Sequence, residues 1–243
     1  IFLATMDEAG VARAVIVALA GHIANDFVRA AQEARPARLI AGMSLDPSRH
    51  TSPHAAAVSA RLAFAEYPFA VIKLHPRLNR YDPLDERMLA TLDALAELPA
   101  PPKIWLDTLF HARGVVLRKA PLEAIHELLC RFPTLHFVLL HGTGPELLGL
   151  SEIVREHENA RIDLSLLLTR YAKSSLMLDL RELLWRFDRR LVFGSDFPEH
   201  TAREALSIFD SVAVDLPNDK RRNVLHDNLA RLFAKRNEHE NPA

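Results

Sequence analysis

Short apolar runs alternate with longer segments of helical spacing along the whole chain. The runs span residues 14–20, 38–46, 70–76, 102–108, 136–142, 160–167 and 190–198. Each run is almost continuously apolar, which is typical of parallel strands covered on both faces. The segments with helical spacing span residues 25–34, 55–65, 83–96, 121–132, 179–187 and 223–235. This alternation predicts a parallel sheet with helices outside it.

A further helical pattern lies ahead of the first run, at residues 2–8, and Gly10 follows it. In a regular strand–helix series each helix follows a strand. The pattern therefore predicts an earlier strand that is missing from the given chain. Seven strands and one more make eight, the number that closes a (β/α)8 TIM barrel. The alternative is an open, doubly wound sheet. We expect one domain over residues 1–243.

Composition and charge exclude several classes of protein. The chain has 30 Lys and Arg against 31 Asp and Glu, a net charge of −1, which argues against a basic face for nucleic acid. No apolar run approaches the roughly 20 residues that span a bilayer. The one Cys, Cys130, forms no internal disulfide and lies in a helical pattern, where we expect it in the core. With no signal peptide in view, a cytoplasmic location is expected.

Polar residues end several of the predicted strands. His75, Asp107, His141 and Asp196 each stand at the carboxyl end of a different run. Chemistry in eight-stranded parallel barrels lies at this end of the strands. Buried Asp and His side chains cost free energy unless they are paired or bound to a metal. The pattern therefore predicts one functional cluster. Lys73 shares a strand face with His75, because residues two apart in a strand point the same way.

Several stretches together resemble one known family. They are MDEAGVARAVIV, VIKLHP, PLEAIHELLCRFPTLHFVLLHGTG, ARIDLS, RLVFGSDFP and VLHDNLARLF, within residues 6–233. In this order they resemble the amidohydrolase-related family, the amidohydrolase 2 group of metal-dependent TIM-barrel hydrolases and decarboxylases. The resemblance implies the same barrel, an enzyme, a small-molecule substrate and a divalent metal ion. Members of this group are often dimers, so a homodimer is a further expectation.

The resemblance also implies roles for single residues. Asp196, in the family's GSD motif, would be a metal ligand and proton acceptor. His141, in the HG motif, would orient or deprotonate the attacking water or polarise the substrate. Asp107 stands where the family usually has a His ligand, and would be a metal ligand here. Because carboxylate oxygen binds Zn²⁺ and also harder ions, zinc is expected first, with manganese or magnesium as alternatives.

Two features leave alternatives open. The KLHP motif, which holds Lys73 and His75, varies in role between family members. These two residues and Arg170, which follows a strand, are candidates to bind a substrate carboxylate. The family's HxH metal-ligand pair occurs nowhere in this sequence, so the metal could be absent in this chain.

The function predicted from these residues is metal-dependent hydrolysis of a small, anionic cyclic ester or amide, as in a lactonase or amidohydrolase. A related decarboxylase uses the same site, and the sequence does not separate the two. One alternative is a catalytically degraded barrel that binds a small carboxylate without metal chemistry. Another is a metal-free isomerase or aldolase that uses Lys73 as a Schiff-base nucleophile.

Overall fold

Seven parallel strands form one sheet in the computed structural model, which describes residues 1–234. The strands are β1 (Ala14–Val17), β2 (Leu39–Leu45), β3 (Val71–Leu74), β4 (Lys103–Asp107), β5 (Phe137–Leu140), β6 (Ala160–Asp163) and β7 (Leu191–Val192). Each predicted run contains one of them. They are hydrogen-bonded in chain order from β1 to β7. Because a doubly wound sheet reverses its strand order at a switch point, this order confirms the barrel and excludes the alternative.

Within residues 1–234, no hydrogen bonds join β1 to β7. The sheet therefore has the order of a barrel that one further strand between β1 and β7 would close. This agrees with the predicted (β/α)8 barrel whose first strand is missing from the given chain.

Helices follow the strands along the chain. They are α1 (Phe2–Glu8), α2 (Asn25–Ala34), α3 (Pro53–Glu66), α4 (Pro76–Asn79), α5 (Glu86–Ala96), α6 (Pro121–Arg131), α7 (Leu147–Glu156), α8 (Leu167–Arg170), α9 (Leu176–Arg186), α10 (Ala202–Val212), α11 (Asn218–Arg222) and α12 (Asn228–Phe233). A π-helical turn, Asn223–Asp227, joins α11 to α12. The predicted segment 223–235 is therefore helical to Phe233, and residue 235 lies outside the described residues. No helix in residues 1–234 is long and apolar enough to cross a bilayer.

Two of the longer helices, α7 and α10, were not predicted. The pattern of α7 is weakened by Gly149 in its middle, a residue that lowers helix propensity. A Cβ at Gly149 would lie 2.6 Å from Leu122 Cδ1, so glycine here permits the close approach of α7 to α6. A start signal for α10 does exist in the sequence. Thr201 and Glu204 form a reciprocal capping box at its first turn.

The two faces of the sheet pack into separate apolar clusters, because side chains alternate along each strand. Ile104 and Leu106 of β4 point outward and pack with the helices in the main core. Val138 and Leu140 of β5 belong to a smaller inner cluster, where Leu232 of α12 packs against them. The last helix thus covers part of the inner face of the sheet.

The same alternation places polar residues on the inner face. Lys73 on β3 pairs in register with Trp105 on β4, and Asp107 pairs with Leu140 on β5. Asp107 and Trp105 are two residues apart, so both share the inward side with Leu140. Lys73 therefore lies one layer below Asp107, on the side of the barrel interior.

The expectation that Cys130 lies in the core is wrong, because its side chain is exposed. On α6 the buried positions are Ala124, Ile125, Leu128 and Leu129. Cys130 lies one helical turn after exposed His126, on the opposite face of the helix.

Candidate active site at the carboxyl ends of the strands

Asp107, the last residue of β4, is the centre of a buried cluster. Its Oδ2 lies 3.3 Å from His75 Nε2 and 3.2 Å from His141 Nε2. Its Oδ1 accepts a hydrogen bond from the Leu109 amide at 3.1 Å. Neither imidazole is aligned for a hydrogen bond to Oδ2, so this buried carboxylate oxygen has no hydrogen-bond donor. We call His75, Asp107 and His141 the mouth cluster.

Lys73 adds a buried positive charge below the mouth cluster. It is 7% exposed, and no carboxylate of residues 1–234 lies within 4 Å of its Nζ. Burial opposes ionisation of Asp107, yet contact with His141 and the charges of His75 and Lys73 keep the pKa of Asp107 below its usual range. A lysine with so little exposure and no carboxylate in contact favours an anionic ligand, which would supply that contact.

Ser165 fixes the ring of His141. His141 Nδ1 lies 3.1 Å from the Ser165 carbonyl oxygen and 3.1 Å from Ser165 Oγ. A carbonyl oxygen only accepts, so Nδ1 carries a hydrogen, and Nε2 faces Asp107 with either a second proton or a lone pair. Burial disfavours the charged ring, but contact with Asp107 and the charges of Asp163 and Asp196 raise the pKa of His141 above 6.5.

His75 has the opposite arrangement. It caps α4, and its Nδ1 accepts a hydrogen bond from the Leu78 amide at 3.4 Å. The neutral ring therefore carries its hydrogen on Nε2, which lies 3.3 Å from Asp107 Oδ2 without being aligned for a hydrogen bond. Burial lowers the pKa of His75 to about 4, with the charge of Asp107 opposing and that of Lys73 adding to the effect. His75 is thus neutral at pH 7, whereas the pKa of His141 is shifted in the opposite direction.

Asp163 supports His141 from the neighbouring strand. Its Oδ1 accepts hydrogen bonds from the Ser165 amide at 3.0 Å, from Ser165 Oγ and from the His141 amide at 3.4 Å. Burial raises the pKa of Asp163, against the charge of His141 and the bonds from Ser165. A Cβ at Gly194 would lie 2.6 Å from Asp163 Oδ2, so only glycine permits this approach of the segment after β7.

The backbone at the mouth adopts sparsely populated conformations. Four non-glycine residues just after the strand ends have positive φ: His141 at 66°, Thr143 at 58°, Leu166 at 59° and Asp196 at 64°. Thr108 Oγ1 holds this turn, since it donates to the Leu140 carbonyl at 2.6 Å and accepts from the Thr143 amide at 2.9 Å. Such strain persists where the surrounding structure enforces it and is frequent at functional sites.

The remaining predicted site residues lie farther out. Asp196 is half-buried in the turn after β7, and its charge acts on His141, which places it at the same end of the barrel. Arg170 is exposed at the end of α8, and its guanidinium makes no ion pair or hydrogen bond within residues 1–234. The structure thus brings His75, Asp107 and His141 together and leaves Arg170 outside that cluster.

Three residues beside His141 and Asp107 were not predicted as part of the site. Asp163 and Ser165 stand two residues apart in the sequence, but their contacts with His141 depend on β5 and β6 lying side by side. Tyr81 had no sequence signal. Its ring is buried, its hydroxyl has no hydrogen-bond partner in the described chain, and burial with the charges of Asp46 and Asp107 raises its pKa.

The mouth cluster fits a divalent cation in part. Asp107 Oδ2 lacks a hydrogen-bond donor, and His141 Nε2 faces it with its other nitrogen held as an N–H. Carboxylate oxygen and imidazole nitrogen are ordinary ligands of Zn²⁺ and Mn²⁺. His75 Nε2 carries a hydrogen and is not a ligand in this arrangement. The cluster thus offers two donor atoms, and the ligand roles of Asp107 and Asp196 stay predictions.

A family model described as amidohydrolase matches residues 1–235. The chain belongs to the amidohydrolase family. This confirms the resemblance and the expectation of an enzyme of this family. No relative among the curated proteins matches the chain.

Similar solved structures share the fold. An uncharacterised TIM-barrel protein from Bordetella bronchiseptica is 18% identical, with a TM-score of 0.77 over 95% of this chain and 80% of that one. A probable 2-pyrone-4,6-dicarboxylic acid hydrolase from Acinetobacter baumannii, with citric acid bound, is 17% identical, with a TM-score of 0.63 over 96% and 87%. A 5-carboxyvanillate decarboxylase from Novosphingobium aromaticivorans, with manganese and a nitrobenzoic acid bound, is 14% identical, with a TM-score of 0.64 over 95% and 79%.

Proposed function

We propose that this amidohydrolase-family protein opens a small cyclic ester or amide that carries a carboxylate group. The observation that carries the proposal is Lys73, a lysine that is 7% exposed and has no carboxylate within 4 Å of its Nζ, one layer below the strained and buried mouth cluster. A substrate carboxylate would supply that contact. The similar hydrolase and decarboxylase structures, whose bound molecules are citric acid and a nitrobenzoic acid, support an anionic ligand.

Each residue of the proposed site has a separate role, set by its position. Lys73 binds the substrate carboxylate and orients the ring at the barrel mouth. Asp196 accepts the proton of the attacking water. Ser165 holds His141 in one ring orientation, so that Nε2 faces the reacting carbonyl group and Asp107 together. Fixed orientation of this kind lowers the barrier because little reorganisation is left for the reaction itself.

Asp107 and Asp196, with His141 Nε2 beside them, would hold the divalent cation, for which we propose zinc. When bound, such an ion supplies Lewis acidity, which acidifies water and polarises a carbonyl group. Manganese and magnesium are the alternatives, because carboxylate ligands suit harder ions as well.

The test is a panel of small lactones and cyclic amides with one or two carboxylates, including 2-pyrone-4,6-dicarboxylate, incubated with purified protein and Zn²⁺ or Mn²⁺. We expect ring opening, detected as a mass gain of one water and, for the lactones, also as proton release. Loss of carbon dioxide instead of water uptake would identify a decarboxylase. Binding of these carboxylates without turnover under any metal condition would identify the degraded, binding-only barrel and overturn the proposal.

Lys73→Gln tests the anion-binding step. We expect KM to rise by about tenfold or more, because a charge-assisted contact to a buried carboxylate is lost. Lys173→Gln, an exposed lysine, is the matched control and should leave KM unchanged. An unchanged KM in Lys73→Gln would remove the main support for an anionic substrate.

A further inference from the structure

Three metal-ligating side chains meet far from the mouth cluster, on the outer face of α6 and at the end of α7. His126 and Cys130 lie one turn apart on α6, and His157 is the residue after α7. We call these three residues the helix cluster. His126 and Cys130 are exposed and His157 is half-buried. None of them takes part in the proposed hydrolysis.

The ligand atoms of the helix cluster face one another. His157 Nε2 and His126 Nδ1 share a hydrogen bond of 3.1 Å, so one of the two nitrogens carries its hydrogen. Cys130 Sγ lies 3.9 Å from His157 Nε2, 4.0 Å from His126 Nδ1 and 3.7 Å from His126 Nε2. All three atoms lie within 4.8 Å of one another, and in residues 1–234 no other group of three His, Cys, Asp or Glu residues does so. Unlike the imidazoles of the mouth cluster, which lie on either side of the Asp107 carboxylate, these two imidazoles are in direct contact.

These separations match a tetrahedral site. Zinc bonds of about 2.0–2.1 Å to nitrogen and about 2.3 Å to sulfur place tetrahedral ligand atoms roughly 3.3–3.6 Å apart. The nitrogen–nitrogen contact is slightly shorter and the nitrogen–sulfur contacts slightly longer than these values. Small side-chain rotations would correct both, since exposed rotamers move freely.

The backbone under the helix cluster is already fixed. Asn159 donates hydrogen bonds to the carbonyl oxygens of Phe132 and Leu135, at 3.1 and 2.9 Å. These bonds tie the loop after α7 to the loop after α6. The His157 carbonyl oxygen also accepts a hydrogen bond from Arg190 at 3.1 Å. The backbone that carries the three ligands therefore needs little further ordering when a cation binds, and only the side chains adjust, which favours binding.

We propose that His126, Cys130 and His157 form a second metal site, which takes Zn²⁺ with one thiolate and two imidazole ligands and links α6 to α7. Binding forms one zinc–sulfur and two zinc–nitrogen bonds. The thiol proton of Cys130 passes to solvent, and the hydrogen shared by His126 and His157 moves to the other nitrogen of its ring, so both imidazoles bind as neutral ligands. The fourth position is left to water. Because helices run opposite to the strands they follow, the ends of α6 and α7 lie at the amino ends of the strands, away from the mouth. This inference does not rest on the proposed function.

The chain's one cysteine makes the test specific. Metal-stripped, full-length protein is titrated with Co²⁺, and the sulfur-to-cobalt charge-transfer band is followed. The mouth cluster contains no sulfur and gives no such band. We expect the band to saturate, to be absent in Cys130→Ser, and to need about tenfold or more Co²⁺ in His126→Gln or His157→Gln. His54→Gln, an exposed histidine elsewhere, is the control and should titrate as the wild type does.

A second measurement uses the unaltered protein, so it does not depend on variants that fold. Zn²⁺ should slow alkylation of Cys130 and displace Co²⁺ from the band. Any one of three results would overturn the proposal. They are no band in the wild type, a Co²⁺ affinity in both histidine variants equal to that of the wild type, or alkylation of Cys130 that Zn²⁺ does not slow.

Discussion

The mouth cluster and the helix cluster have similar composition and opposite surroundings. Each holds two imidazoles and one group that becomes anionic. The mouth cluster is almost fully buried, and backbone groups hold the second nitrogen of each ring. In the helix cluster the rings face each other at the surface. Burial and fixed ring hydrogens suit proton transfer and substrate binding, whereas exposed imidazoles and a thiol at ligand spacing, free to change tautomer, suit a cation.

The largest expected difference between the two regions is in catalysis. Asp196→Asn should lower kcat by about 10² to 10⁴, because it removes the proposed proton acceptor. Cys130→Ser should leave kcat unchanged, because the helix cluster lies away from the reaction. The assay is ring opening of the substrate found in the panel. Equal rates for Asp196→Asn and wild type would refute the proposed role. A large loss of kcat in Cys130→Ser would show that the helix cluster also takes part in catalysis.

Stability should separate the clusters next. Asp107→Ala leaves two buried imidazoles without their carboxylate, and should lower the free energy of unfolding by about 3 kcal/mol. Cys130→Ser, on the surface, should change it by less than about 0.5 kcal/mol. Urea denaturation of metal-free protein measures both values. Equal small effects would show that Asp107 is not a structural centre of the mouth.

Zinc should make Cys130 important for stability. At a free Zn²⁺ concentration of 100 times its Kd, binding to the folded state raises the free energy of unfolding by about 2.7 kcal/mol. We expect the helix cluster to give a rise of this size in Asp107→Ala, whose mouth cluster has lost a proposed metal ligand. The double variant Asp107→Ala, Cys130→Ser should lack this rise, as seen in thermal unfolding with and without Zn²⁺. Stabilisation that persists in the double variant would assign the effect to another site.

The smallest predicted effect is the pH dependence that comes from His75. Its pKa of about 4 in the folded state is below the ordinary 6.5, so the unfolded chain binds a proton first as the pH falls. The contribution of neutral His75 to the free energy of unfolding is therefore fully present above pH 6.5 and decreases as the pH falls towards 4. Between pH 7 and pH 5 the free energy of unfolding should fall by about 2 kcal/mol. Urea unfolding at both pH values should show a smaller loss in His75→Gln than in the wild type. His54→Gln should keep the full loss, and an unchanged loss in His75→Gln would contradict the assignment.

The sequence predicts the strands well, because their signal is local. A run that is apolar on both faces needs a cover on each side, wherever it lies in the chain. The weaker prediction was for helices such as α7, where Gly149 serves contact with another helix rather than helix propensity. Cys130 was placed in the core from its residue type, although its spacing from Ile125 and Leu129 puts it on the outer face.

Residue type and position alone determined that His75, Asp107 and His141 stand at the ends of parallel strands, since strand ends in one sheet meet at one edge. Only the tertiary structure decided which atoms meet there. Ring orientation depends on the carbonyl of Ser165 and the amide of Leu78, which belong to other segments. The helix cluster depends entirely on the tertiary structure. His157 is 27 residues from Cys130, and the packing of two helices, which no local pattern encodes, brings them together.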